Sequence, residues 1–256
     1  MVAALQKQNQ VRPMNPSSVT TEKPTSRPDA AMVAVRVWDL PTRVFHWLLA
    51  ASVIAMVITG KVGGNALVWH MRIGLLIGAL LLFRIVWGLI GGRWSRFASF
   101  IYAPATVLRY LRGEHRPGDH FDVGHNPLGS FSVFAMIGLL ALQVATGLVA
   151  DDEIATTGPL NRFVASATGL LATSWHKSYG QWILIALVVL HVGAILVYRR
   201  RGVDLIRPML HGDKALPNHA TGAAPAAQDS LRTRIQALLV IAVCMGLAAW
   251  VARQGG

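Results

Sequence analysis

Four of the nine histidines sit within or at the ends of long apolar runs: His46, His70, His176 and His191. A polar ring in hydrocarbon needs a partner, and a single membrane histidine is more often a hydrogen-bonded structural residue than a metal ligand. Four together read differently, because their positions sort them. His46 stands three residues after Arg43, at one end of the first run, and His191 stands eight residues before Arg199, toward the end of the fourth run on the same side. His70 opens the second run and His176 opens the fourth, which puts both on the opposite side. Each pair draws its members from two different helices, as a planar macrocycle with two axial ligands requires.

The fifteen residues from His176 to His191 span about 22 Å of ideal α-helix and turn it about 60° past four full turns. The two rings then share one broad face, too far apart to hold one iron and with room for two haems at two levels. No Cys-x-x-Cys-His occurs, and the single cysteine, Cys244, lacks spaced partners, which excludes c-type attachment, iron–sulfur clusters and disulfide scaffolds. Two non-covalent b-type haems fit. Zinc is the competing metal, but it takes three or four ligands converging within about 2.1 Å of one point. These histidines are spread over both leaflets, and the middles of the first four runs hold no carboxylate. A proton relay normally alternates His with Asp or Glu, so it ranks well below haem.

Arg84 follows His70 by fourteen residues, about 21 Å deeper and about 40° short of four turns. That places it beside His46 and His191. A charge inside a span is costly without an anionic partner, so Arg84 either pairs with a haem propionate or snorkels toward headgroups near Arg93. Gly74 and Gly78 share a face of the second run and permit close approach by another helix or by a haem. Pro127 suits the start of the third helix, and His125 before it is either a quinone contact or a cap. His115, His120, His211 and His219 lie in polar stretches.

Such residues need membrane-crossing helices to hold them. The chain has 256 residues, 53% hydrophobic and 14% charged, with a mean hydropathy of +0.45, against about 25% charged residues in an ordinary soluble domain. The net charge of +12 would elsewhere point to nucleic acid. Here the basic residues are sparse between apolar runs, so bilayer contact accounts for both facts and nucleic acid is excluded as a partner. A spanning helix needs about 20 mostly apolar residues. Five stretches qualify: Val44–Gly60, Leu67–Ile90, Leu128–Ala150, Trp175–Tyr198 and Ile235–Val251. Six tryptophans (Trp38, Trp47, Trp69, Trp87, Trp94 and Trp175) fall near their ends, where indoles prefer the headgroup layer.

Counted on alternate sides of the spans, eighteen Lys and Arg lie on the side of the N-terminus and five on the other (Lys61, Arg72, Arg162, Lys177 and Arg253), with Arg84 inside. The positive-inside rule then predicts a cytoplasmic N-terminus and a C-terminus outside. Residues 1–34 mix Gln, Asn, Pro, Ser and Thr with scattered basic residues and read as a disordered arm.

The segments Val37-Trp38-Asp39, Arg43-Val44-Phe45-His46-Trp47, Trp69-His70 with Arg84, Gly124 to Gly129, and Trp175-His176 followed by His191 resemble the bacterial cytochrome b561 family. That family includes the b-type cytochrome subunits of nickel–iron hydrogenases. The resemblance covers about residues 36–214. It implies a four-helix membrane cytochrome with two haems b exchanging electrons with quinone or quinol. His46 and His191 would then hold the inner haem, His70 and His176 the outer one, and Arg84 a propionate.

The long arm and the fifth helix depart from that pattern. The expected fold is all-α and integral to the membrane: an arm over 1–34, a four-helix haem-binding bundle over 35–214, a linker over 215–230 and an additional transmembrane helix over 231–256. That last helix reads as tethered beside the core. The expected function is respiratory electron transfer across a bacterial inner membrane, with a periplasmic C-terminus. It would link the quinone pool to a periplasmic redox protein, such as a cytochrome c or a dehydrogenase subunit. A homodimer is compatible with this. The alternative is a self-sufficient quinone oxidoreductase, for example superoxide:quinone, and more remotely a proton-coupled transporter.

Overall fold

A computed structural model describes residues 32–114, 116, 119, 121–154, 156–217 and 225–255. The arm up to residue 31, linker residues 218–224 and His115, His120 and His219 lie outside the described residues. Among the described residues five helices are long and apolar enough to cross a membrane: α1 (Leu40–Val62), α2 (Ala66–Ile90), α4 (Pro127–Val149), α5 (Ser166–Arg200) and the helix of Leu231–Gly255. A short α3 (Pro104–Leu111) and α6 (Ile206–His211) lie between them, and the last span is α7 (Leu231–Ala252) with one closing turn. The membrane bundle expected from the sequence is therefore present.

Local chemistry sets the helix starts. Asp39 caps α1 by accepting the Thr42 N–H at 2.8 Å, with Pro41 in the first turn. Asn126 caps α4 by accepting the Gly129 N–H at 2.8 Å, again with proline at the first helical position. Ser230 caps α7. The fourth span departs from expectation. It begins at Ser166 rather than Trp175, and Trp175–Gly180 forms a π-helical turn between two α-helical parts, Ser166–Ser174 and Gln181–Arg200. The added turns carry Ser, Thr, Gly and Ala, so hydropathy alone does not reveal them.

The helix α2 is the centre of the bundle. On one side Phe45 of α1, Ala79, Leu80, Phe83 and Trp87 of α2, and Ala237 and Cys244 of α7 form one buried cluster. On the other, Ile77 and Leu81 meet Leu140 of α4 and Leu184 of α5. The last helix is thus packed against α2 instead of hanging on a linker.

The chain is also not wholly helical. Strand β1 (Met32–Arg36) pairs antiparallel with β2 (Asp213–Pro217), with Val35 opposite Lys214 and Arg36 opposite Asp213. Residues 32–34 of the expected arm and 215–217 of the expected linker therefore belong to a sheet. The reason is apolar burial: Val35, Val37, Trp38, Trp94, Val123, Leu216 and Ala227 share a core below the bundle.

Charged groups fasten this base. Asp229 pairs with Arg36 of β1 at 2.8 Å, Arg234 of α7 at 3.0 Å and Arg43 of α1 at 3.8 Å. Burial pushes its carboxyl up, but hydrogen bonds from Arg234 and the Leu40 N–H, with the charges of Arg234 and Arg36, outweigh it and hold the group below its ordinary range. Asp39 is fully buried and accepts from Thr42 N–H, Trp87 Nε1–H at 3.2 Å, the Gly92 N–H at 3.1 Å and Ser95 Oγ–H at 2.8 Å. It pins the start of α1 to the end of α2, and a Cβ on Gly92 would collide with its Oδ2.

Two outcomes follow for stability. Asp39→Ala strands four donors in an apolar setting, which costs roughly 3–5 kcal/mol, the range for breaking a buried charged network; thermal unfolding in detergent should show a large loss, and a smaller one for Asp39→Asn. Because the folded pKa of Asp229 is lowered, its contribution is complete above the ordinary carboxylate range near pH 4 and is lost as pH falls through the lower folded value. Asp229→Asn should remove that acid-side loss from the melting curve.

Candidate haem sites

At one end of the bundle His70, one turn into α2, and His176, in the π turn of α5, bring their ring centroids to 6.0 Å with planes at 79°. Each ring is anchored by a third helix. His70 Nδ1 lies 3.1 Å from the Met56 carbonyl of α1 and 3.4 Å from Thr59 Oγ1. His176 Nδ1 lies 3.0 Å from the Gln143 carbonyl of α4 and 3.2 Å from Thr146 Oγ1. A carbonyl oxygen can only accept, so the proton is on Nδ1 in both rings and the Nε2 lone pair is free. That is the tautomer a metal ligand needs, with its second nitrogen oriented by the protein.

The two anchors share one pattern. Thr59-Gly60 and Thr146-Gly147 occupy the same place near the ends of α1 and α4. Thr59 Oγ1 donates to the Ala55 carbonyl at 2.7 Å and reaches the Met56 carbonyl at 3.3 Å, and Thr146 Oγ1 donates to the Leu142 carbonyl at 2.8 Å and reaches the Gln143 carbonyl at 3.1 Å, so each hydroxyl bonds its own helix beside the imidazole. A Cβ on Gly60 would stand 3.1 Å from His70 Cε1, and one on Gly147 would stand 3.2 Å from His176 Cε1. The glycines let the rings reach the backbone. Reading the sequence missed these four residues, although the repeated Thr-Gly pair two residues before each helix end was a signal.

The π turn serves the same ring. A turn bonded i to i+5 is wider than an α-helical one, so the 60° offset expected between His176 and His191 does not hold. Gln143 fills the gap by donating from Nε2 to the His176 carbonyl at 3.3 Å, and a Cβ on Gly180 would collide with Gln143 Oε1. A cavity of about 230 Å³ opens between α1, α2, α4 and α5, lined by both histidines and by Gly60, Gly74, Gly147 and Leu184. A Cβ on Gly74 would stand 3.5 Å from Met56 of α1 and one on Gly78 3.4 Å from Val144 of α4, so neighbouring helices come close at both, and Gly74 also lines the cavity.

At the other end His46 of α1 and His191 of α5 stand with ring centroids 6.5 Å apart and planes at 51°. Neither ring makes a hydrogen bond among the described residues, and His46 Nδ1 is buried without a partner. Arg84 is buried as well, which rules out snorkelling. Its guanidinium lies 4.6 Å from the Phe97 ring centroid and 6.0 Å from that of Phe100, and its Nη1 has no hydrogen-bond partner. Phe97 reaches that position over Gly88, where a Cβ would collide with its ring. His125 sits between Trp38 and Phe100, with ring centroids at 4.8 and 4.6 Å. Burial and the charges of Arg84, His46 and His191 push its pKa down to about 3, so it is neutral near pH 7. It does not cap α4, because Asn126 does.

Both pairs fit an iron. Two imidazole nitrogens at about 2 Å from a shared metal put their ring centroids roughly 6 Å apart. Among the described residues no three His, Cys, Asp or Glu side chains converge on one point, so a zinc-type centre has no ligand set there. A helical membrane bundle with such a pair at each end has the make-up of a membrane cytochrome.

Comparison with known proteins agrees. Residues 37–212 match the model of the prokaryotic cytochrome b561 family, and the chain belongs to that family. It is a b-type cytochrome, with haem b as cofactor and membrane electron transfer as its work. Among its relatives is the "Probable Ni/Fe-hydrogenase 1 B-type cytochrome subunit" of Escherichia coli (strain K12), 25% identical over 195 residues, covering 63% of this chain and 82% of the relative. The "Probable Ni/Fe-hydrogenase B-type cytochrome subunit" of Cupriavidus necator is 27% identical over 196 residues, covering 64% and 79%. That of Rhodobacter capsulatus is 24% identical over 198 residues, covering 63% and 73%. No solved structure matches significantly.

Gly60→Ala and Gly147→Ala should each lower the haem content per chain, because the added methyl displaces an anchored ring. Gly138→Ala, where a Cβ meets nothing within 4 Å, should leave it unchanged.

Proposed function

We propose that this chain is the di-haem electron-transfer subunit of a membrane-bound dehydrogenase, a hydrogenase being favoured by the names of its relatives. The observation that carries the reading is the two histidine pairs, 6.0 and 6.5 Å between centroids, at opposite ends of one bundle. His70 and His176 hold one haem, His46 and His191 the other. Each haem supplies a one-electron iron couple when bound. The protein fixes the ligands, excludes water with apolar helix faces, and sets charge through Arg84, whose unpartnered Nη1 suits a propionate. In this reading the partner docks at the His70–His176 end, on the periplasmic side by the distribution of Lys and Arg, and quinone or quinol exchanges electrons with the chain.

A reduced-minus-oxidised spectrum with pyridine haemochrome quantification tests this directly. Two haems b per chain are expected, and His46→Ala and His70→Ala should each lose one. Turnover of the purified chain alone with quinone and superoxide would replace the subunit reading with a self-sufficient oxidoreductase.

A further inference from the structure

A haem b carries two carboxylates on one edge of its macrocycle, and a carboxylate brought among apolar helices is costly without a positive partner. At the His46–His191 level the proposed partner is Arg84. The cavity at the His70–His176 level has mostly apolar walls and a polar margin made by Asp152, Thr156, Thr173, Lys177 and Gln181. The carboxylate edge of a haem has to lie at that margin. Most of the polar groups there are already engaged. Thr173 Oγ1 is shared between the Asp151 and Gly169 carbonyls, at 2.8 and 2.9 Å. Gln181 Nε2 donates to the Lys177 carbonyl. Asp152 Oδ1 accepts the Ile154 and Thr156 N–H groups at 3.1 and 2.8 Å, and its charge repels a second carboxylate. Lys177 is the one Lys or Arg among the described residues that line the cavity, and its ammonium is within electrostatic reach of the His176 ring.

The other cations on this side of the spans are placed elsewhere. Lys61 Nζ stands 4.6 Å from the Trp182 ring centroid, and the Arg72 guanidinium 5.1 Å from that of Trp69. Arg162 lies 4.7 Å from the Phe163 centroid and donates to Gln254 Oε1 at 2.7 Å. Arg253 belongs to the turn that closes α7. Lys177 forms no ion pair among the described residues.

Resting on the two-haem reading above, we infer that Lys177 is the counter-cation of the His70–His176 haem, its ammonium binding a propionate at the mouth of the cavity. A lysine suits that place, because its long flexible stem carries a charge rooted beside the ligand histidine outward into the polar layer. The same charge favours the reduced iron, which holds one more electron.

The test uses the intact, haem-loaded chain. A potentiometric titration followed at the reduced b-type α absorption should show two waves, one of which His70→Ala removes. Lys177→Gln should shift that wave downward and leave the other in place. Lys177→Arg should return it toward its original position, which a packing defect in the π turn would not do. Lys61→Gln removes an equal charge from the same side and should move neither wave. With isotopically labelled propionates on the haem, the reduced-minus-oxidised infrared spectrum of Lys177→Gln should show a displaced carboxylate band. An unmoved wave or an unmoved labelled band in a Lys177→Gln chain with full haem content overturns the inference, as does an equal shift from Lys61→Gln. Should His70→Ala fail to assemble, a shift of one wave alone in Lys177→Gln supports the inference and an equal shift of both overturns it. Should Lys177→Gln lose haem, the labelled band of Lys177→Arg decides: displacement supports the pairing and an unchanged band overturns it. A haem content other than two per unaltered chain overturns the site reading itself, a result distinct from an unmoved wave in a two-haem protein.

Discussion

An imidazole set among apolar helices has two nitrogens, and leaving either without a partner is costly in a medium that offers no water. Much of the architecture round His70 and His176 follows from that constraint. The acceptor for each Nδ1–H is a helix carbonyl that in an α-helix already faces the amide four residues on. It has a second lone pair, but a side chain at that fourth residue stands in the way of a ring approaching it. Gly60 stands four residues after Met56, and Gly147 four after Gln143. The ring, the carbonyl and the missing Cβ are three parts of one contact. The π turn extends the same logic, since widening the helix at His176 loosens its carbonyl and Gln143 from α4 supplies the donor.

The opposite end obeys a different rule. There the polar groups that need partners include Asp39, Arg84 and the Nδ1 atoms of His46 and His125, and of these, among the described residues, only Asp39 is satisfied. Asp39 collects four donors from α1, α2 and the turn after α2, and so fixes where the two helices meet. Arg84 is held by the faces of Phe97 and Phe100 and keeps a donor in reserve. A buried guanidinium with an unused donor is costly unless something anionic completes it. A rigid acidic anchor beside an incomplete basic group is the kind of local inconsistency that marks functional positions.

Much of this was legible in the sequence, and the reasons for the rest are physical. The spans were legible because a bilayer demands about 20 apolar residues whatever their order. The histidine pairs were legible because alternating helices place residues at predictable ends. The early start of α5 was not, since Ser166–Ser174 forms a helix without being strongly apolar. The sheet was hidden because the apolar end of the arm, Met32 to Ala34, follows a long polar stretch and its partner lies far along the chain. Thr-Gly pairs are ordinary in membrane helices, where glycine is common. Only the recurrence of the pair at matching positions of α1 and α4 distinguishes it, and only the structure shows which rings it receives.

The last helix lies beyond the residues matched by the family, yet it need not alter the chemistry, and the reason lies in α2. At about 100° per residue, His70, Ile77, Leu81 and Arg84 fall within roughly 40° of one line along α2. Leu76, Leu80, Phe83 and Trp87 form a second stripe about 100° away. The first stripe carries His70 and the buried cation Arg84, and its Ile77 and Leu81 face α4 and α5. The second receives Ala237 and Cys244 of α7. A helix added on that stripe covers apolar surface that would otherwise face lipid, while Trp87, stacked on Phe83 at 5.6 Å, passes the contact on to Asp39 through its indole N–H. Its influence on the candidate sites therefore runs through the placement of α1, and no histidine lies within it.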